Sequence, residues 1–182
     1  MRLFIVFFII NIFLSACNEV ATPTKQGDKP NIFFDLKGFF QKEKARLEKI
    51  NSFKKIVSIN GVSEEKMLDK LDFENELSIF IASDINRPAW SDKYKIDSTF
   101  TATSQLQKIT YTALDNSLKT KMLTVDFQNN QASKIAIEKS TDNTIAQSKQ
   151  SLSYHIDKGY TIQSEQTLSL STAKTIIVNV TF

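Results

Sequence analysis

The sequence predicts an α+β domain in which an N-terminal helical hairpin packs on one face of a curled antiparallel β-meander of about seven strands. Three observations predict it. Apolar residues recur near helical spacing between Ile32 and Ile81. From Tyr94 to Phe182 they alternate with polar residues, the pattern of a sheet with one wet face. Turn dipeptides interrupt this second part at short intervals.

The first expected helix covers residues 32–59. Phe33, Leu36, Phe40, Leu47, Ile50 and Val57 form its stripe, widened by Phe39, Phe53 and Ile56. Asn60-Gly61 reads as its stop. Ser63 is a candidate N-cap for a second helix, with Glu64 and Glu65 in the favourable first turn. Met67, Leu68, Leu71, Leu77, Phe80 and Ile81 give that helix its apolar side. From Lys37 to Lys55 there are seven basic and two acidic residues, and from Glu64 to Asp84 seven acidic and two basic. That contrast suits two elements that complement each other; contact of the first with anionic lipid is the alternative.

The strands are expected near 94–103, 106–114, 118–127, 132–139, 144–156, 160–170 and 173–182. Asp115-Asn116, Asn129-Asn130, Asp142-Asn143 and Lys158-Gly159 mark turns. Seven strands make a sheet roughly 30 Å wide, of which two helices cover about two-thirds. The sheet then curls, or an apolar groove stays open as a binding site.

Between helices and sheet lies Ser83–Tyr94. It holds the only Trp, and Arg87, Trp90 and Tyr94 are residue types enriched at binding hot spots. They form the candidate binding loop. The plainer reading is that Trp90 plugs the open end of the core. Asp84, Asn86 and Asp92 offer oxygens to a calcium ion, but their spacing fits no known loop. No metal or cofactor is expected.

Composition narrows the chemistry further. Lys+Arg is 23 against Asp+Glu 20, too balanced for the dense basic face that nucleic acid requires. The single Cys, Cys17, leaves the rest of the chain without a disulfide or thiol nucleophile. His155 is the only histidine and no Gly-x-Ser-x-Gly accompanies it, so it reads as a surface residue on a strand. Gly27, Gly38, Gly61 and Gly159 are too scattered to cradle phosphate. The expectation is a protein that is not an enzyme. Carboxylates brought together from separate strands remain the route to the opposite answer.

The N-terminus carries the sharpest motif. Arg2 precedes an apolar run, Leu3–Leu14, broken by Asn11 and followed by Ser15-Ala16-Cys17. A charged start, an apolar core and small residues before a cut describe a secretory signal. The run is shorter than the roughly 20 residues of a membrane span. Leu14-Ser15-Ala16-Cys17 resembles the lipobox of bacterial lipoproteins, which implies cleavage before Cys17 and acylation of that residue. Two or more acyl chains anchor a protein stably, at about 0.8 kcal/mol per buried CH2. By the sorting rule of such lipoproteins, Asn18 after the cysteine implies the outer membrane, facing the periplasm.

Residues 1–16 are thus an expected signal peptide. Residues 17–31 are an expected lipidated cysteine and flexible tether with a reach of about 20 Å, and residues 32–182 a single domain. The segments Ser83–Tyr94 and Tyr111-Thr-Ala-Leu-Asp115 resemble uncharacterised envelope lipoproteins of Bacteroidota. In element types the chain is similar to the outer-membrane acceptors of lipoprotein carriers, which implies a lipid- or lipoprotein-handling module with an apolar groove. It also resembles the small lipoprotein of the β-barrel assembly machine, which implies an accessory subunit of an outer-membrane complex. The leading expectation is a non-enzymatic binding module held to the membrane through Cys17, with a protein or lipid partner.

Overall fold

The computed structural model describes residues 31–168 and 172–182. The expected signal peptide, Cys17 and nearly all of the tether lie outside the described residues. Asn31–Phe182 is one compact unit.

The chain opens with helix α1 (Leu36–Leu47), then strands β1 (Phe53–Ile59) and β2 (Val62–Leu68). Two single-turn helices follow, α2 (Phe73–Glu76) and α3 (Ser78–Ile81). A 3-10 turn, Pro88–Trp90, leads into β3 (Tyr94–Phe100), β4 (Leu106–Ala113), β5 (Thr120–Gln128) and β6 (Gln131–Asp142). The chain continues through β7 (Ala146–His155), β8 (Gly159–Leu168) and β9 (Lys174–Thr181). All nine strands form one antiparallel sheet in the order β2-β1-β9-β8-β7-β6-β5-β4-β3.

This corrects the expected fold. Among the described residues there is no N-terminal helical hairpin, and the strands number nine rather than about seven. The first expected helix ends at Leu47, and its second half is β1. Most of the second expected helix is β2, followed by two isolated turns. The physical reason lies at Asn60-Gly61. Both residues have positive φ, +49° and +87°, and Ile59 pairs directly with Val62 across them. That is a two-residue turn whose twist matches flanking strands, and Asn-Gly is its preferred sequence. β-branched Ile56, Val57, Ile59 and Val62 beside the turn favour strands. Over so short a stretch, apolar spacing alone cannot separate helix from strand.

Where the helices do form, local chemistry accounts for them. The Asp35 side chain accepts from Gly38 N at 2.9 Å and caps α1. Asp72 accepts from Asn75 N and caps α2. The helical turns and the 33–34 segment cover one face of the sheet. Leu36, Phe40, Leu47, Leu77, Phe80 and Ile85 are wholly buried there, against Leu123, Val125, Ile135, Ile137 and Tyr154. Lys44 pairs with Glu74, Lys54 with Glu65 and Lys55 with Glu76. The basic and acidic stretches therefore complement each other, through one pair between α1 and α2, one across β1 and β2, and one between β1 and α2.

Candidate functional site

The segment Ser83–Lys93 crosses from the helical turns to β3, and its first half is built as a clamp. Asn86 Oδ1 accepts from Phe33 N at 3.0 Å, and Asn86 Nδ2 donates to Phe34 O at 2.8 Å. Asp84 Oδ1 in turn accepts from Asn86 N and Nδ2, at 3.1 and 3.2 Å. Asp84 and Asn86 are thus committed to shaping the backbone. Among the described residues no three His, Cys, Asp or Glu side chains group around a metal-sized site.

The second half presents the candidate residues. Pro88 sits in the first turn of the 3-10 segment, where its fixed φ suits the geometry. The Arg87 guanidinium lies over the Trp90 indole, 4.5 Å from its centroid, a cation–π contact. Arg87 is exposed and Trp90 half-buried against the core. The Trp90 and Tyr94 rings are 6.4 Å apart. Tyr94 itself belongs to the interior, 5% exposed, with its hydroxyl donating to Thr120 O at 2.9 Å. Burial pushes its pKa up to about 12, against a small opposing effect of Arg87. The structure therefore brings Arg87 and Trp90 together at the surface and makes Tyr94 their root in the core. The plugging role of Trp90 and its exposure in the loop coexist.

Two further clusters join the helices to the sheet. Glu43, only 6% exposed, accepts from Tyr154 OH at 2.5 Å and from Arg46 Nε and Nη2 at 3.0 and 2.8 Å. Arg46 also donates to Ile156 O and lies 5.5 Å over the Phe182 ring. One strand across, Tyr160 OH donates to Glu76 at 2.5 Å, and Glu76 pairs with Lys55. The Tyr154 and Tyr160 rings stack at 6.5 Å and 12°. Burial, and then the carboxylate each phenol faces, push both tyrosines well above the usual phenol range. The hydrogen bond to Glu43 holds Arg46 charged. Such phenols are donors and neither acids nor nucleophiles near neutral pH, so the clusters are bolts. The sequence did contain a pointer to the first of them. Leu36, Phe40, Glu43 and Leu47 share one helical stripe, so Glu43 had to be buried.

A shallow groove of about 400 Å³ runs between α1 and the α2–α3 turns, lined by Lys37, Ala45, Phe73 and Ile81 among others. The Lys44–Glu74 ion pair joins the two sides that line it. The face of the sheet that no described helix covers is rich in hydroxyls. Thr110 meets Thr124, Ser151 donates to Glu138 and Thr161 to Asn179. His155 lies on β7 within that face, half-buried.

No protein-family model, no curated protein and no solved structure matches this chain.

Proposed function

We propose that this chain is a lipid-anchored envelope protein, acylated on Cys17 and held at the outer membrane facing the periplasm. Its Asn31–Phe182 domain is read as a non-enzymatic binding module. The binding element is the Arg87–Trp90 loop. One observation carries this reading: a cation and an aromatic ring are stacked at 4.5 Å on an accessible turn that Tyr94 and Asn86 root in the core. Such a pair is preorganised, so little ordering entropy opposes binding.

The lipid-handling alternative needs a continuous apolar cavity between helices and sheet. That space is occupied by Phe40, Phe80 and Tyr154, each fully buried, which favours the binding-module reading. An accessory role in outer-membrane assembly is the same module with a protein partner.

Two measurements test the proposal. Mass spectrometry of the N-terminal peptide reads acylation of Cys17 directly, and an unmodified cysteine sinks the anchor. A photocrosslinker placed at Ser91, beside the loop, is expected to give discrete adducts in intact envelopes. Arg87→Ala and Trp90→Ala should each remove them. Adducts that persist unchanged in both variants would rule out the loop as the binding element.

A further inference from the structure

The two ends of the sheet differ in a way that the core does not require. Strand pairing puts three turns, β1–β2, β4–β5 and β6–β7, and the last residue of β8 at the end where β3 begins. Each of these carries or adjoins an exposed aliphatic residue. Val62 is 78% exposed, Leu114 65%, Ile145 73% and Leu168, the last residue of β8, 49%. The conformations behind them are set locally. Asn60-Gly61 makes the tight turn before Val62, Asp115 accepts from Ser117 N, and Asn143 accepts from Ile145 N and Ala146 N.

At the opposite end the turns are Thr101–Gln105, Asn129-Asn130 and Ile156–Lys158. They are polar apart from Ala102 and from Ile156, which packs on the core. Exposed Met67 and Phe100 stand near that end, one on each edge strand, against the four aliphatic residues at the other end.

The spacing of the aliphatic residues points to the kind of partner. Neighbouring turns lie two strands apart, roughly 10 Å. Single aliphatic groups at that interval do not merge into the central cluster that a protein hot spot needs. They suit a planar, deformable apolar medium. The Arg87–Trp90 loop stands at this same end, because Tyr94 opens β3 and pairs with Ala113, next to Leu114. The described chain also begins beside that loop, since Phe33 N is bonded to Asn86, the neighbour of Arg87. Around the loop, Arg87, Lys93, Lys119 and Lys121 stand with Asp84, Asp92 and Asp115, four cations to three anions. Tryptophan and cations of this kind occupy the headgroup level of bilayers.

We infer that this end of the sheet lies in the interface of a phospholipid bilayer, with Trp90 and the aliphatic turns at the headgroup–acyl boundary and Arg87 on lipid phosphate. The inference rests on the reading of the Arg87–Trp90 loop as the binding element, and names its partner as the lipid surface.

Trp90 is the only tryptophan, so its fluorescence reports on the loop alone. The full chain, purified from envelopes, is reconstituted in vesicles of phosphatidylcholine and phosphatidylglycerol. Lipids brominated high on the acyl chain are expected to quench Trp90 at least about twofold and shift its emission to the blue. Val62→Asp combined with Leu114→Asp should abolish most of the quenching, and both positions are exposed, so the core is kept. Phe100→Ser, near the opposite end, should leave it unchanged. Unquenched Trp90 overturns the inference, as does an equal loss on Phe100→Ser. A chain without acyl groups on Cys17 is judged by the same quenching on added vesicles, so failure of the anchor is read separately. A protein adduct at the loop without lipid quenching keeps the binding element and overturns its lipid partner. If Arg87→Ala alters neither adducts nor quenching, the loop reading itself has failed.

Discussion

Tyr154 donates its hydroxyl to Glu43 across 111 positions of sequence, at 2.5 Å, and so ties α1 to the middle of the sheet. Glu43 also satisfies Arg46, so the three side chains form one unit. Removing the shared acceptor leaves the Tyr154 hydroxyl without its carboxylate and Arg46 without its counter-ion. Glu43→Ala is expected to cost about 2–4 kcal/mol. Tyr154→Phe keeps the ring packing and leaves Glu43 with Arg46, so about 1–2 kcal/mol is expected. Urea unfolding of the two variants checks the order. Equal losses would mean that the Tyr154–Glu43 bond accounts for the whole effect and that the Arg46 contact with the carboxylate adds nothing.

All four tyrosines of the chain are buried, and burial raises the pKa of each. Tyr94 is pushed up to about 12, from an ordinary value of 10.0. A phenol whose folded pKa is raised contributes stability that is complete below the unfolded value and is lost as pH rises through the folded one. The unfolded chain begins to release these protons near pH 10 while the folded chain does not. Stability should therefore be flat through neutral pH and fall steadily above about pH 10. Tyrosinate absorbance should rise in step with loss of far-ultraviolet circular dichroism. An early phenolate signal from an intact fold would show that at least one ring is open to solvent.

Two glycines with positive φ separate backbone strain from steric conflict. At Gly61, with φ +87°, an added Cβ meets nothing within 4 Å. Only the left-handed conformation penalises a side chain, and Gly61→Ala should cost about 1–2 kcal/mol. At Gly159, with φ +138°, a Cβ would fall 1.9 Å from the Val180 carbonyl oxygen. The β8–β9 pairing would have to open, and Gly159→Ala should cost at least about 3 kcal/mol. Thermal melts of the two variants decide it, and comparable losses would contradict the clash.

These same turns show what was legible in the sequence. From Tyr94 onward, alternation and turn residues located each strand to within a few residues, because one face is buried and the other wet. Asn129-Asn130 is a tight turn with both φ values positive, as its composition suggested. The N-terminal half was misread because Asn60-Gly61 signals a helix stop and a hairpin equally well. Its decisive partner, β9, lies more than a hundred residues away. The candidate loop was legible as residue types, but the burial of Tyr94 depends on Phe33 and Thr120, which no local pattern reveals. Glu43 was marked by the helical stripe it shares with Leu36, Phe40 and Leu47, whereas Glu76 was legible only as a member of a charged stretch. Their tyrosine partners come from β7 and β8.

Lys139 offers a last test, on the covered face of β6. It lies two positions after the buried Ile137 and pairs across strands with Thr120 and Gln150. Burial lowers its pKa, and the charge of Lys119 adds to the effect. The sign is opposite to that of the tyrosines. The unfolded chain holds this proton more tightly, so the charged ammonium costs stability at neutral pH. That cost fades as pH rises from the lowered value towards 10.5. Lys139→Met keeps the length of the side chain without the charge. It is expected to stabilise the fold by about 0.5–1 kcal/mol at pH 7, a modest figure because solvent screens a half-buried group. The advantage over the parent should shrink as pH rises towards 10.5, and paired urea titrations can follow it. A variant less stable than the parent at pH 7 would show that the ammonium makes a favourable contact and that burial is not its dominant effect.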